Sequence, residues 1–373
     1  PILIASDLER GAGQQFRGAT ALPPAAAIGS LGDPEVTRRA AEITAREARA
    51  LGIGWVLAPV ADLDVEPRNP IVGTRAFAGA ADAAARQVEA WVRGCADGGA
   101  LSCLKHFPGH GRTVGDSHAE LPTVHASRAE VEDDLSPFRA GIAAGTDAVM
   151  AGHLAVPALD PSGEPATRSG PILSRLLRGA LRFDGIVATD AINMAGFSTG
   201  GGEGDAAVRA IVAGCDALLY PADLPRTARA ITQALHRREL PAERVREAAD
   251  RLARAARRVG SVPGGRWGRE EDLGWARWLA GRTIRVERGA PSLPSRSVHL
   301  LDVDDDVGGP HPPPSREHLR SALRGHGVHL DESGQPILAV YADVRAWKRR
   351  GGLSERARAD AAALLGAHPD MPV

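Results

Sequence analysis

Short apolar runs alternate along the chain with longer stretches whose apolar residues recur at helical spacing. The runs Ile2–Ser6, Trp55–Val60, Leu101–Lys105, Ala148–Ala151, Ile186–Thr189 and Ala217–Tyr220 read as strands. Pro34–Leu51, Ala80–Asp97, Arg128–Ala144, Ile172–Arg182 and Gly204–Ala213 read as helices. Asp33-Pro34 and Ser127-Arg128-Ala129-Glu130 have the form of helix starts, a polar cap followed by Pro at the first position or Glu at the third. Repeated strand–helix order predicts parallel strands joined by crossover helices, either as a closed (β/α) barrel or as an open doubly wound sheet. Polar placement favours the barrel. Asp7, Asp62, Lys105-His106, His153 and Asp190 each stand at the end of a strand run. In a barrel those ends converge on one face, whereas an open sheet gathers its site near one switch point.

The helical pattern continues from Ala222 to Arg258, and its Arg-rich part from Arg237 reads as a solvated face. A break at Gly260–Gly268, a helical stretch at Trp275–Arg282 and a Pro/Ser-rich segment at Ala290–Ser297 come next. New strands follow at Val298–Val303 and Ile337–Tyr341. The expected organisation is a TIM-type (β/α) barrel over 1–260, a linker over 261–290 and the start of an α/β domain over 291–373. That last domain is expected to be partial, with fewer strands than such a sheet normally holds.

Composition narrows the function class. The chain has 373 residues, 43% of them hydrophobic, with 45 Lys+Arg against 46 Asp+Glu. That balance supplies no basic excess for nucleic acid. No apolar run reaches the roughly 18 residues of a membrane span. Gly and Pro are abundant, 43 and 27, which suits a fold with many tight loops. Three cysteines, Cys95, Cys103 and Cys215, make no disulfide framework or paired metal spacing. They fit a reducing compartment. Pro1–Ala5 lacks the basic flank and the length of a signal peptide, so the expected location is cytoplasmic; an envelope location is the alternative if a leader has been removed.

The chemistry concentrates in two segments. Lys105-His106-Phe107-Pro108-Gly109-His110-Gly111 leads through a short loop to Asp116-Ser117-His118. A carboxylate two residues from an imidazole can accept from one ring nitrogen, set the tautomer and raise the pKa, which suits a general acid. Asp190 ends the strand Gly185-Ile186-Val187-Ala188-Thr189 and is a candidate nucleophile, metal ligand or base.

These segments resemble glycoside hydrolase family 3, and within it the retaining β-N-acetylglucosaminidases that use an Asp-His dyad. The resemblance runs over about residues 1–260. It implies a barrel with Asp190 as nucleophile, His118 as acid/base and Asp116 as its partner. It also implies substrate contacts from Lys105, His106, Arg75 (in Asn69–Phe77) and Asp7, no cofactor or metal, a small N-acetylglucosamine-containing carbohydrate as partner, and a monomer. The family carries a strand–helix unit ahead of the first strand found here. It also has an Arg where this chain has Gln15, and an acidic or bulky residue at Ala191. Three other readings stay open. One is a phosphorylase on the same site, since a neutral His acid/base adds no negative charge against phosphate. The second is a metal-dependent hydrolase using His106, His110, His118 and Asp190. The third is a non-catalytic amino-sugar-binding protein. Outside the resemblance, His110 and His153 read as loop-structuring residues, and Trp267, Trp275 and Trp278 as packing.

Overall fold

The computed structural model describes residues 2–115, 117, 120–198, 202–260, 264–285, 295–305, 315–342, 353–369 and 371. The chain divides into two units, Pro1–Thr283 and Ile284–Val373.

In the first unit the strands are β1 (Ala5–Ser6), β2 (Trp55–Val56), β3 (Cys103–Phe107), β4 (Ala148–Ala151), β5 (Ile186–Ala191) and β6 (Ala217–Leu219). All pair in parallel and in sequential order. β1 lies on β2, bridges Trp55↔Leu101 and Val60↔Lys105 join β2 to β3, and β3-β4-β5-β6 form one sheet. Helices α1 (Ala25–Gly29), α2 (Pro34–Ala50), α3 (Ala81–Asp97), α4 (Arg128–Ala143), α5 (Glu203–Ala213), α6 (Leu224–His236), α7 (Ala242–Val259) and α8 (Glu270–Arg282) surround them, with a π-type helical segment at Pro171–Ala180. This is the TIM-type barrel architecture.

Both predicted caps form. Asp33 accepts from the Glu35 N–H with Pro34 at the first helical position of α2, and Ser127 and Glu130 make a reciprocal capping box on α4. Alternating strand residues Trp55, Leu57, Leu101, Cys103, Ala148, Met150, Ile186 and Ala188 form one inward cluster. A second, larger cluster lies between strands and helices, with Val56, Leu104, Val149 and Val187 packed on Trp91, Phe138 and Leu177.

Two expectations change. The Arg-rich helix is solvated along one side, where Arg246, Arg254 and Arg257 are exposed, but its other side is packed. Leu252, Ala255 and Val259 of α7 pack on the inward cluster, and three of its arginines pair with aspartates that precede strands. Arg258 meets Asp147 before β4, Arg251 meets Asp184 before β5, and Arg244 and Arg251 meet Asp216 before β6. Asp216 also takes Arg178 at 2.6 Å and the Val187 N–H at 2.9 Å. The helix therefore braces the N-terminal ends of the strands, opposite the face where Asp7 and Asp190 lie. The expected linker over 261–290 also holds packed structure. Within α8, Asp272 takes Arg46 Nη2 at 2.8 Å on both carboxylate oxygens, and Leu279 is fully buried in the larger cluster.

In the second unit, β7 (Ser297–Asp304) lies between β8 (His329–Leu330) and β9 (Gln335–Tyr341), all parallel, with α9 (Glu317–Gly325) and α10 (Glu355–Ala367). The two-residue β8 is too short to show as an apolar run.

Candidate active site

The C-terminal ends of β1 to β5 bring together a cluster of ionised side chains. β3 supplies two consecutive residues because its ladder has a bulge. Lys105 is opposite Met150 and Phe107 opposite Ala151, so His106 is the extra residue. The turn that follows depends on glycine. Gly109 has φ 131°, and a Cβ on Gly111 would lie 1.9 Å from the Leu63 carbonyl oxygen. The close approach lays this segment on the loop after β2.

Lys105 is buried, and its Nζ lies 2.6 Å from both Asp7 Oδ1 and Glu9 Oε1. Arg75 adds a bidentate pair to Glu9, Nε to Oε2 at 2.9 Å and Nη2 to Oε1 at 2.7 Å. Two cations thus face two carboxylates. Burial alone would raise the Glu9 pKa, but Arg75 and Lys105 outweigh it and hold this carboxyl well below the usual range. Burial would lower the Lys105 pKa, yet Asp7 and Glu9 drive it upward.

A second pair lies beside the first. His106 Nδ1–H donates to Asp62 Oδ2 at 2.7 Å, and Asp62 Oδ1 accepts the His110 N–H at 2.6 Å. Asp62 is 1% exposed. Burial pushes its pKa up, but His106 and the two histidine contacts bring it below the ordinary value. This tautomer leaves His106 Nε2 for other contacts.

Asp190, next to last in β5, is half-buried, with Oδ1 accepting the Ala191 N–H at 2.8 Å. Burial opposes its ionisation, but His106, His153, the Ala191 N–H and Lys105 together bring its pKa down to about 2. Fully buried His153 donates from Nε2 to the Ala191 carbonyl at 3.0 Å, steadying the peptide next to Asp190.

Of the residues expected in the site, Asp7, Lys105 and Arg75 meet in one ion-pair network through Glu9, His106 lies in the neighbouring pair with Asp62, and Asp190 is linked to them only through space. Asp116 and His118 lie outside the described residues. The residue between them, Ser117, is described and buried. Gln15 donates to the Asp7 carbonyl at 3.3 Å. His110 has both ring nitrogens on hydroxyls, Thr113 Oγ1 at 2.6 Å and Ser117 Oγ at 3.2 Å. It is not oriented for a metal with His106, and among the described residues no three His, Cys, Asp or Glu form a metal-holding group. Glu9 was missed by sequence reading. Its signal was the alternation Asp7-Leu8-Glu9, which puts both carboxylates on one side of an extended segment with buried Leu8 on the other.

The profile of the glycosyl hydrolase family 3 N terminal domain matches residues 1–255. The chain belongs to glycosyl hydrolase family 3. A family relative, the β-hexosaminidase of Chromobacterium violaceum, is 39% identical over 242 residues, 63% of this chain and 67% of that protein. The β-N-acetylglucosaminidase/β-glucosidase of Cellulomonas fimi is 37% identical over 235 residues, 60% of this chain and 42% of that one. The chain thus spans about two fifths of that enzyme's length. Among solved structures, the family 3 β-N-acetylglucosaminidase of Paenibacillus sp. FPU-7 superposes with TM-score 0.84 at 31% identity, covering 99% of this chain and 71% of that one. The polar cluster at the strand ends therefore lies on the face where this family's barrel architecture places catalytic groups.

Proposed function

We propose that the chain is an exo-acting retaining glycoside hydrolase that removes terminal β-linked N-acetylglucosamine. Asp190 is its nucleophile and His118, oriented by Asp116, its acid/base. The observation that carries this reading is Asp190, a half-buried strand-end carboxylate with a pKa of about 2. It is ionised at any working pH and rigidly held by the Ala191 N–H. That is what a nucleophile toward an anomeric carbon needs. The names of the Chromobacterium and Paenibacillus relatives support the sugar.

In the proposed reaction an Asp190 oxygen bonds to the anomeric carbon as the glycosidic C–O bond breaks, and the leaving oxygen takes a proton from His118. Water then attacks the glycosyl-enzyme, gives its proton back to His118, and releases Asp190 and the sugar with net retention. The network of Asp7, Glu9, Lys105 and Arg75 serves as the sugar cradle. Lys105 Nζ and the second oxygen of Asp7 offer a donor and an acceptor to one diol, while Glu9 fixes both cations from behind. His106, its Nδ1–H held by Asp62, offers Nε2 to another hydroxyl. The test is release of p-nitrophenol from the β-N-acetylglucosaminide by the wild type and by Asp190→Ala. Loss of turnover in the variant is expected, and undiminished turnover removes the assignment.

A further inference from the structure

β5 carries Asp190 through a break in its ladder with β6. Ala188 is opposite Ala217 and Ala191 opposite Leu219, so three steps along β5 match two along β6 and β5 holds one extra residue. The β4 ladder ends one residue before Asp190, at Ala151↔Thr189. Among the described residues Asp190 therefore has no register partner on either neighbouring strand. Regular strand pairing does not aim this carboxylate.

Two buried side chains stand where the ladder fails. Thr189, fully buried, accepts the Leu219 N–H on Oγ1 at 3.2 Å, in place of a strand carbonyl. His153, also fully buried, comes from the loop after β4 and meets the Ala191 carbonyl through Nε2 at 3.0 Å. A carbonyl only accepts, so Nε2 carries the proton. Burial lowers the His153 pKa against the pull of Asp190 and the Ala191 carbonyl, and the ring is neutral at pH 7. Nδ1 is then an acceptor, and the Thr167 hydroxyl donates to it at 3.1 Å. Thr167 thereby fixes the tautomer that the Ala191 carbonyl requires. The Phe197 ring lies against the imidazole, with centroids 5.1 Å apart.

These contacts fix a single peptide group. Its C=O, from Ala191, accepts the His153 Nε2–H, and its N–H, from Ile192, donates to the Leu219 carbonyl at 2.8 Å. The group is planar, so holding both of its poles orients the residue before it. That residue is Ala191, whose own N–H donates to Asp190 Oδ1 at 2.8 Å. We propose that His153 is a positioning residue for the nucleophile, with Thr189 as its counterpart on the β6 side: the two side chains supply the hydrogen bonds that the interrupted ladder omits and so aim the Asp190 carboxylate. This rests on the reading of Asp190 given above.

The test counts sugar-binding sites by calorimetry with N-acetylglucosamine, then measures kcat/KM per binding site on the phenyl and dinitrophenyl β-N-acetylglucosaminides. Unfolded protein drops out of the site count. His153→Met removes the donor at similar volume, and His153→Gln returns an N–H near the Nε2 position. Thr189→Val removes the other hydrogen bond at nearly constant shape and carries the test if His153→Met does not fold. About 1 Å of misplacement costs about 100-fold, so His153→Met and Thr189→Val should each lower kcat/KM per site about 10- to 100-fold. The same factor is expected on both substrates, because attack by Asp190 is common to them while only the phenolate needs the proton. Kd for the sugar should stay within about twofold of wild type, since the loss falls on the transition state, and His153→Gln should recover most of the activity. Unchanged values per site, a His153→Gln variant no better than His153→Met, or a fall matched by weaker sugar binding would each overturn the assignment. Turnover absent from the wild type, or surviving Asp190→Ala, would instead defeat the glycosidase reading itself.

Discussion

Glu9 is the pivot of the charged cluster, because one carboxylate there serves two cations. Its side chain is 12% exposed, and it takes Lys105 at 2.6 Å and Arg75 at 2.7 and 2.9 Å. Glu9→Gln keeps the shape but turns a neutral four-charge cluster with Asp7 into one with net charge +1. The amide also presents a donor to a guanidinium that can only donate. Removing one partner of a buried ion network costs about 3–5 kcal/mol. In a unit this large each kcal/mol moves the midpoint by about 2 °C, so a fall of roughly 6–10 °C is expected at neutral pH. Tryptophan fluorescence reads this unit selectively, since five of the six tryptophans lie in it and Trp55 and Trp91 are buried. Burial raises the Glu9 pKa, and Arg75 and Lys105 more than reverse it, so the folded-state value lies below the unfolded one. The stability Glu9 contributes is therefore complete above the unfolded value of about 4.3, and is lost as pH falls through the lower folded value. The gap between wild type and Glu9→Gln should be constant from about pH 8 to pH 5 and narrow below that. A gap under about 1 kcal/mol at neutral pH, or one that does not narrow in acid, would refute the reasoning.

Two further predictions concern the scaffold. Asp216→Ala leaves Arg178, Arg244 and Arg251 around an empty position beneath β6; a loss of about 3–5 kcal/mol by the same fluorescence is expected, and a loss under about 1 kcal/mol would show that α7 is not braced there. Asp134 is 3% exposed, and burial lifts its pKa to about 6 against the opposing pull of Arg112 at 2.8 Å. A raised folded value favours the fold below the unfolded pKa and loses that advantage as pH rises through about 6, so Asp134→Asn should gain roughly 1–3 kcal/mol on the wild type between pH 5 and pH 8; a pH-independent difference would contradict this.

What could be read from the sequence was what leaves a local trace. Strand runs, helix caps and a polar residue at each strand end are contiguous patterns, and they carried the barrel and most of the residues of the cluster. What could not be read depends on distant partners. Nothing around Arg244, Arg251 or Arg258 announces Asp216, Asp184 or Asp147, so the helix that braces the barrel looked like a surface. Asp62 looked like an ordinary strand-end cap because its value lies in His106 and His110, which arrive on β3 and the loop after it. The bulge at His106 is likewise a property of the ladder with β4 and has no sequence mark.

Under the proposed reaction, these distant pairings also bear on which carboxylate is available to attack. Asp7 and Glu9 are committed to Lys105 and Arg75, and Asp62 to His106. Among the described residues Asp190 has no side-chain cation within ion-pair distance. Its carboxyl is nevertheless brought down to about pKa 2, because His106, His153 and Lys105 act on it through space and the Ala191 N–H binds one oxygen. A carboxylate ionised by contact would have to break an ion pair before attacking. One ionised through space has no ion pair to break, and that difference separates Asp190 from the other three acids of the cluster.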